Sequence, residues 1–209
     1  MRVLLFANTD WYLYNFRLTL AESLRSEGYE VILLSPPGEY SARLEQAGFK
    51  WLAFPLQRRG TNPLVEFATI IRLFGVFRRH KPEIVHFFTI KSVLYGSIAA
   101  KLAGVPEIIN AIEGLGIAFS ETRPWLRAIV ILLYRLSMRG TKVIFQNPDD
   151  LNVFLKYRLM AKGQSTLIPG TGIDVNVFRP SPEPAGAPVV MLAARLLRSK
   201  GVPLFAAAA

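Results

Sequence analysis

Chemistry in this 209-residue chain can sit in five short segments: Asn8 to Asn15, Phe88 to Lys91, Glu113 to Gly116, Asn147, and Gly170 to Asp174. Each follows a short apolar run. If those runs are parallel strands, all five lie at carboxyl ends of strands, the rim on which open α/β sheets bind ligands. Each alone also has a plain structural reading. Glycine and asparagine serve turns, and a single strand histidine such as His86 is more often a core residue than a catalyst. A further loop, Arg195 to Gly201, sets the cations Arg195 and Lys200 five positions apart behind an apolar run. Two permanent cations so spaced suit an anion whose charge must be stabilised, although a solvated basic loop has the same pattern.

The residue types that are missing narrow the chemistry. There is no cysteine, which removes disulfide scaffolds, thiolate metal sites and cysteine nucleophiles and fits a reducing compartment. Two histidines, His80 and His86, do not make a histidine-rich metal centre, so no metal cofactor is expected. Neither G-x-G-x-x-G nor G-x-x-x-x-G-K-[ST] follows the first apolar run, and no G-x-S-x-G elbow occurs. A membrane span needs about 20 apolar residues. The longest stretch here, Ala128 to Tyr134, is closed by Arg127 and Arg135, and Val3 to Ala7 is too short for a signal peptide, so a cytosolic first strand is expected.

The elements that must position these segments follow an alternating rhythm. Val3 to Ala7 reads as a buried strand; Asn15 caps a helix with Leu18, Ala21 and Leu24 on its apolar face, and Gly28 ends it before a strand Glu30 to Leu34. After the Pro36-Pro37-Gly38 turn come a short helix through Leu44, a strand Lys50 to Phe54, a helix Pro63 to His80 and a strand Glu83 to Phe87. Helix Ser92 to Ala103, strand Glu107 to Ile112, helix Trp125 to Met138, strand Lys142 to Phe145, helix Pro148 to Lys156 and strand Thr166 to Ile168 complete the series. Apolar content of 51% against 19% charged can fill a real core. The fold class expected is therefore α/β, a doubly wound parallel sheet. A proline-rich linker is expected over residues 181–188, and beyond it Val189 to Ala193 reads as the buried first strand of a second domain over residues 189–209. One strand and half a helix cannot make a core, so the sequence is expected to be cut short there.

The formal net charge of +10 is concentrated in residues 56–81 (Arg58, Arg59, Arg72, Arg78, Arg79, Lys81 against Glu66) and 122–143 (Arg123, Arg127, Arg135, Arg139, Lys142 against no acid). Leu64, Phe67, Ala68, Ile71, Phe74 and Phe77 recur at helical spacing beside Arg72, Arg78 and Arg79, and the second segment repeats the theme with Arg127 and Arg135. A basic amphipathic helix suits an anionic membrane surface; a core-facing helix with outward arginines has the same pattern. No nucleic-acid recognition motif is visible, so nucleic acid is not an expected partner.

Taken in order, W-Y-L-Y-N-F-R-L-T-L at 11–20, V-H-F-F-T-I-K at 85–91, N-A-I-E-G-L-G at 110–116, F-Q-N at 145–147, I-P-G-T-G-I-D-V-N-V-F-R-P at 168–180 and A-R-L-L-R-S-K-G at 194–201 resemble the family 4 retaining glycosyltransferases of GT-B fold. The nearest likeness is to bacterial members that extend lipid-linked saccharides. The resemblance implies an acceptor-binding Rossmann-like domain over residues 1–180, a donor-binding second domain, and transfer of a hexose or N-acetylhexosamine from a nucleotide sugar donor to a lipid-linked saccharide acceptor. It implies that Arg195 and Lys200, with Gly172, meet the donor diphosphate, and that Asn15, His86, Lys91, Gly114 and Asn147 lie at the acceptor. Lys91 opens a helix, where charge and helix N-terminus together favour a diphosphate. Glu113 stands where many members have histidine. It either orients a sugar hydroxyl or caps the glycine loop. The first βα loop has Leu13, Tyr14 and Asn15 in place of the family's glycine-rich turn. The enzyme is expected on the inner face of the cell membrane, bound through Arg72, Arg78, Arg79, Arg127 and Arg135. The chain as it stands is expected to bind membrane or acceptor without useful turnover. A non-catalytic membrane-surface or acceptor-binding module is the alternative.

Overall fold

A computed structural model describes residues 1–57, 62–114, 124–183 and 185–208. Gly116, Arg58, Arg59, Arg123 and Pro184 lie outside the described residues. By contact the chain divides into a unit Met1–Gly172 and a unit Ile173–Ala209.

The first unit alternates strand and helix as its apolar periodicity requires. Its elements are β1 (Arg2–Phe6), α1 (Asp10–Tyr12), a π-helical turn (Leu13–Arg17), α2 (Leu18–Ser26), β2 (Glu30–Ser35), α3 (Ser41–Gln46), β3 (Lys50–Ala53), α4 (Pro63–His80) and β4 (Ile84–Phe88). Then follow α5 (Ile90–Ala103), β5 (Glu107–Ile112), α6 (Pro124–Met138), β6 (Lys142–Phe145), α7 (Pro148–Lys156) and β7 (Ser165–Leu167). All seven strands pair in parallel in the order β3-β2-β1-β4-β5-β6-β7. The direction of winding reverses between β1 and β4, and the rim beside this switch point carries the loops of interest.

Pleating sends alternate residues to opposite faces. Leu4, Phe6, Ile32, Leu34, Val85 and Phe87 pack toward α4, α5 and α6, while Val3, Leu5, Val31, Leu33 and Phe88 pack toward α1, α2 and α3. Helix α5 seats closely because it is built of small residues: a Cβ on Gly96 would lie 2.8 Å from Phe87 Cε1. Asn110, fully buried on β5, accepts from Ser97 Oγ (2.8 Å) and donates to Thr141 Oγ1 (3.1 Å), so its polar atoms are satisfied inside the core.

Two expectations about elements are corrected. Asn15 does not cap the first helix. Thr9 does, accepting from Tyr12 N, so the helix opens at Asp10 and the aromatic run 11–17 is already wound, with Asn15 exposed inside the π-helical turn. Residues Val189 to Ala193 form no strand and no core; Val189 is 89% exposed. A buried strand needs a hydrogen-bonded neighbour and a covering layer, and the described residues of the second unit offer neither. That unit holds turns at Asp174–Phe178, a 3₁₀ turn Arg198–Lys200 ended by Gly201 at φ +76, and α8 (Val202–Ala208).

Candidate functional site

At the carboxyl ends of β1, β4 and β5 lies a cavity of about 330 Å³, with Asn8, Thr89, Lys91, Glu113 and Gly114 in its wall. Three of the rim segments read from the sequence therefore meet around one space. The N-terminus of α5 opens onto it, and the side chain of the preceding Thr89 does not cap the helix. The residue at that corner, Thr89, has φ +69 and ψ 149, a region that β-branched residues avoid. Backbone strain of this kind persists where surrounding structure enforces it.

Lys91 Nζ is ion-paired with the buried Glu66 of α4. The pair joins α4 to α5 and moderates the positive charge that Lys91 presents to the cavity. Glu113 is the centre of a second cluster. Its Oε1 accepts from Tyr12 OH, from Arg17 Nη2 and, at 3.4 Å, from Gln146 Nε2. Arg17 also donates to Tyr12 OH (2.6 Å), and its guanidinium lies 4.3 Å from the centre of the Phe88 ring. Burial pushes the Tyr12 hydroxyl far above its usual range, so it stays protonated and donates. Neither Tyr12 nor Arg17 was singled out from the sequence. The signal present there was a lone arginine inside an aromatic run.

Other expected acceptor residues have different tasks. The exposed Asn15 donates its amide to Trp11 O (2.8 Å). Asn147 caps α7, accepting from Asp150 N and donating to Asp150 Oδ2, both at 2.8 Å, so its amide is spent on the helix start. His86 packs against Phe88 with ring centroids 4.1 Å apart and a buried Nε2 that has no hydrogen-bond partner among the described residues, and it is not in the cavity wall. Burial, with Arg17 adding repulsion, pushes its pKa down to about 3. Gly172, at φ +73, ends the first unit. In the second, Arg195 and Lys200 are both exposed, on either side of Leu197, whose amide donates to Arg195 O and whose carbonyl accepts from Lys200 N.

The basic helices are not alike. Helix α4 buries Leu73 and Phe77 but leaves Leu64, Phe67 and Ile71 outside, at 80%, 65% and 52% exposure, beside exposed Arg72, Arg78 and Arg79. The single apolar face read from the sequence is thus two stripes. On α6, Arg127 lies over Tyr157 and donates to its hydroxyl, and Arg135 donates to Tyr157 O (3.0 Å), so both arginines tie α6 to the chain after α7. No helix among the described residues is long and apolar enough to cross a membrane.

A parallel sheet with this strand order and a cavity at its switch-point rim defines a Rossmann-like domain, as in the amino-terminal halves of GT-B glycosyltransferases. Residues 2–147 match the family model described as "Glycosyl transferase 4-like", and the chain belongs to that family. It is 25% identical to the N,N'-diacetylbacillosaminyl-diphospho-undecaprenol alpha-1,3-N-acetylgalactosaminyltransferase of Campylobacter jejuni, over 98% of this chain and 59% of that protein. It is 27% identical to the UDP-Gal:alpha-D-GlcNAc-diphosphoundecaprenol alpha-1,3-galactosyltransferase of Escherichia coli, over 61% of this chain and 33% of that protein. The match thus spans little more than half the length of the first relative and a third of the second. Among solved structures, HepE of Anabaena in complex with UDP-glucose superposes with a TM-score of 0.61 at 14% identity, covering 87% of this chain and 47% of that one. MurG of Acinetobacter baumannii gives 0.55 at 16% identity, covering 83% and 46%.

Proposed function

We propose that the chain acts as a glycosyltransferase, or as its acceptor-binding part, moving a hexose or N-acetylhexosamine from a nucleotide diphosphate sugar to a lipid-linked saccharide with retention at the anomeric carbon. The observation that carries this reading is the rim cavity, where the start of α5, Lys91 and Glu113 border one space. A helix N-terminus attracts an anion and a carboxylate accepts from hydroxyls, a combination that suits a sugar diphosphate. The two relatives named above support it, since the names of both contain a sugar joined through diphosphate to undecaprenol.

In the reaction, the bond from the donor sugar to its diphosphate breaks and an acceptor hydroxyl forms the new glycosidic bond. Retention puts the incoming hydroxyl on the face the diphosphate leaves, where a departing phosphate oxygen can take its proton. Negative charge grows on the diphosphate, and Arg195 and Lys200 are the cations assigned to it, without a metal. The exposed stripe of α4 with its arginines rests on the inner face of the cell membrane and keeps the cavity near lipid-borne acceptors.

The test is sugar transfer from UDP-N-acetylgalactosamine, UDP-N-acetylglucosamine or UDP-galactose to farnesyl-diphospho-N-acetylglucosamine, with and without EDTA. In a protein with a complete second domain, transfer with retained configuration, unaffected by EDTA and reduced by about tenfold or more in Arg195→Ala, is the expected outcome, while this chain alone binds the farnesyl acceptor without useful turnover. Transfer lost with EDTA would contradict the metal-free assignment. If the chain neither transfers sugar nor binds the farnesyl acceptor, the reading fails.

A further inference from the structure

We infer that Arg17 is a positioning residue that fixes Glu113 at the saccharide end of the cavity, so that the ligand lies with its sugar toward Glu113 and its diphosphate toward the start of α5. This rests on the reading that the cavity takes a sugar diphosphate. The observations are independent of the family likeness. Arg17 is only 7% exposed, an unusual place for a guanidinium. It occupies the last position of the π-helical turn Leu13–Arg17, a local insertion that is frequent at functional sites. That turn carries Arg17 beneath the rim, against the face of Phe88, with Nη2 on both Glu113 Oε1 and Tyr12 OH.

A buried cation without a counter-charge is costly, and Glu113 is the carboxylate ion-paired with it. The pairing works in both directions. Glu113 balances the buried guanidinium, and Arg17, with Tyr12 and Gln146, fixes the direction of the carboxylate. All three bonds made by the described residues fall on Oε1, while a carboxylate offers about four lone-pair sites over two oxygens. Acceptor capacity remains for a ligand. Sugar hydroxyls donate readily to such an oxygen, whereas a diphosphate is repelled by it. The start of α5 and Lys91 have the opposite preference. The cavity wall therefore offers Glu113 to the sugar and the start of α5 with Lys91 to the diphosphate of a sugar diphosphate.

The saccharide could come from the acceptor or from the donor, and the test separates them. Binding of farnesyl-diphospho-N-acetylglucosamine, farnesyl diphosphate and UDP-N-acetylgalactosamine is measured by calorimetry for the wild-type chain, Arg17→Gln, Arg17→Lys, Glu113→Gln and the Arg17→Gln/Glu113→Gln double variant. Charge-assisted hydrogen bonds of this kind correspond to about tenfold to a hundredfold in affinity. Arg17→Gln and Glu113→Gln should each weaken the farnesyl-linked sugar by about that factor, leave farnesyl diphosphate unchanged, and combine without adding. Arg17→Lys, which keeps the charge, should recover part of the loss. The same loss on UDP-N-acetylgalactosamine instead would assign the site to the donor sugar. Equal losses on all three ligands, or additive losses in the double variant, would overturn the positioning role. Should the wild type bind none of the three, the functional reading itself fails. Circular dichroism of each variant separates misfolding from lost binding, and Glu113→Gln, nearly isosteric, keeps the inference falsifiable if Arg17→Gln does not fold.

Discussion

Replacing Leu64, Phe67 and Ile71 together by serine should lower binding to anionic vesicles by about a hundredfold. These side chains stand in one stripe on the exposed side of α4. Full burial of one such side chain is worth about 1.5 to 3 kcal/mol, and even partial insertion of three exceeds the roughly 2.7 kcal/mol that a hundredfold represents. Arg72, Arg78 and Arg79 add an electrostatic part, about 1 kcal/mol for each cation close to the surface. Replacing them by glutamine should abolish the preference for anionic over neutral vesicles and flatten the salt dependence. Arg127→Gln and Arg135→Gln should change vesicle binding little, because both side chains are engaged with Tyr157. Co-sedimentation with phosphatidylcholine vesicles, with and without phosphatidylglycerol, at low and high salt checks each arm. Undiminished binding by the serine variant would refute the role given to the stripe.

A second large effect is expected in acid. His86 is held neutral in the folded chain, its pKa pushed down from 6.5 to about 3 by burial and by Arg17. In the unfolded chain it titrates near the ordinary value. Between these two values the unfolded state binds a proton that the folded state refuses, so stability falls as pH drops from about 6.5 toward 3. Linkage puts the loss at roughly 3 kcal/mol by pH 4, an order-of-magnitude figure. His86→Leu removes both the titration and a buried nitrogen that has no partner among the described residues. Its melting temperature should decline less with acid than that of the wild type, and parallel curves for the two proteins from pH 7 to pH 4 would contradict this account.

The same histidine illustrates what the sequence could and could not tell. Strand parity was legible: Val85 and Phe87 face one side, so His86 must face the other. What lies on that other side depends on where the π-helical turn delivers Arg17, and a one-residue widening of a helix leaves no apolar period to read. The parallel sheet and the glycine stop at Gly28 followed from periodicity and helix-stop chemistry, because local rules decide them, whereas Asn147, read as an acceptor residue, proved to be a helix cap. The Arg17–Glu113 pair joins residues 96 positions apart and depends on tertiary packing alone. Val189 to Ala193 failed for the complementary reason. β-rich composition specifies a strand only where a sheet exists to receive it. On α4, helical spacing was visible, but which of its apolar stripes is covered is set by α5.

The most direct test of the cavity as a sugar diphosphate site is a titration of isotopically labelled protein with farnesyl-diphospho-N-acetylglucosamine, followed through backbone amide resonances. The account predicts saturable shifts at Thr89, Ile90 and Lys91, where the diphosphate meets the start of α5, and at Glu113 and Gly114, where the sugar lies. Saturable shifts confined to Leu64, Phe67 and Ile71 on α4, with none around the cavity, would show the farnesyl chain binding alone and would contradict it.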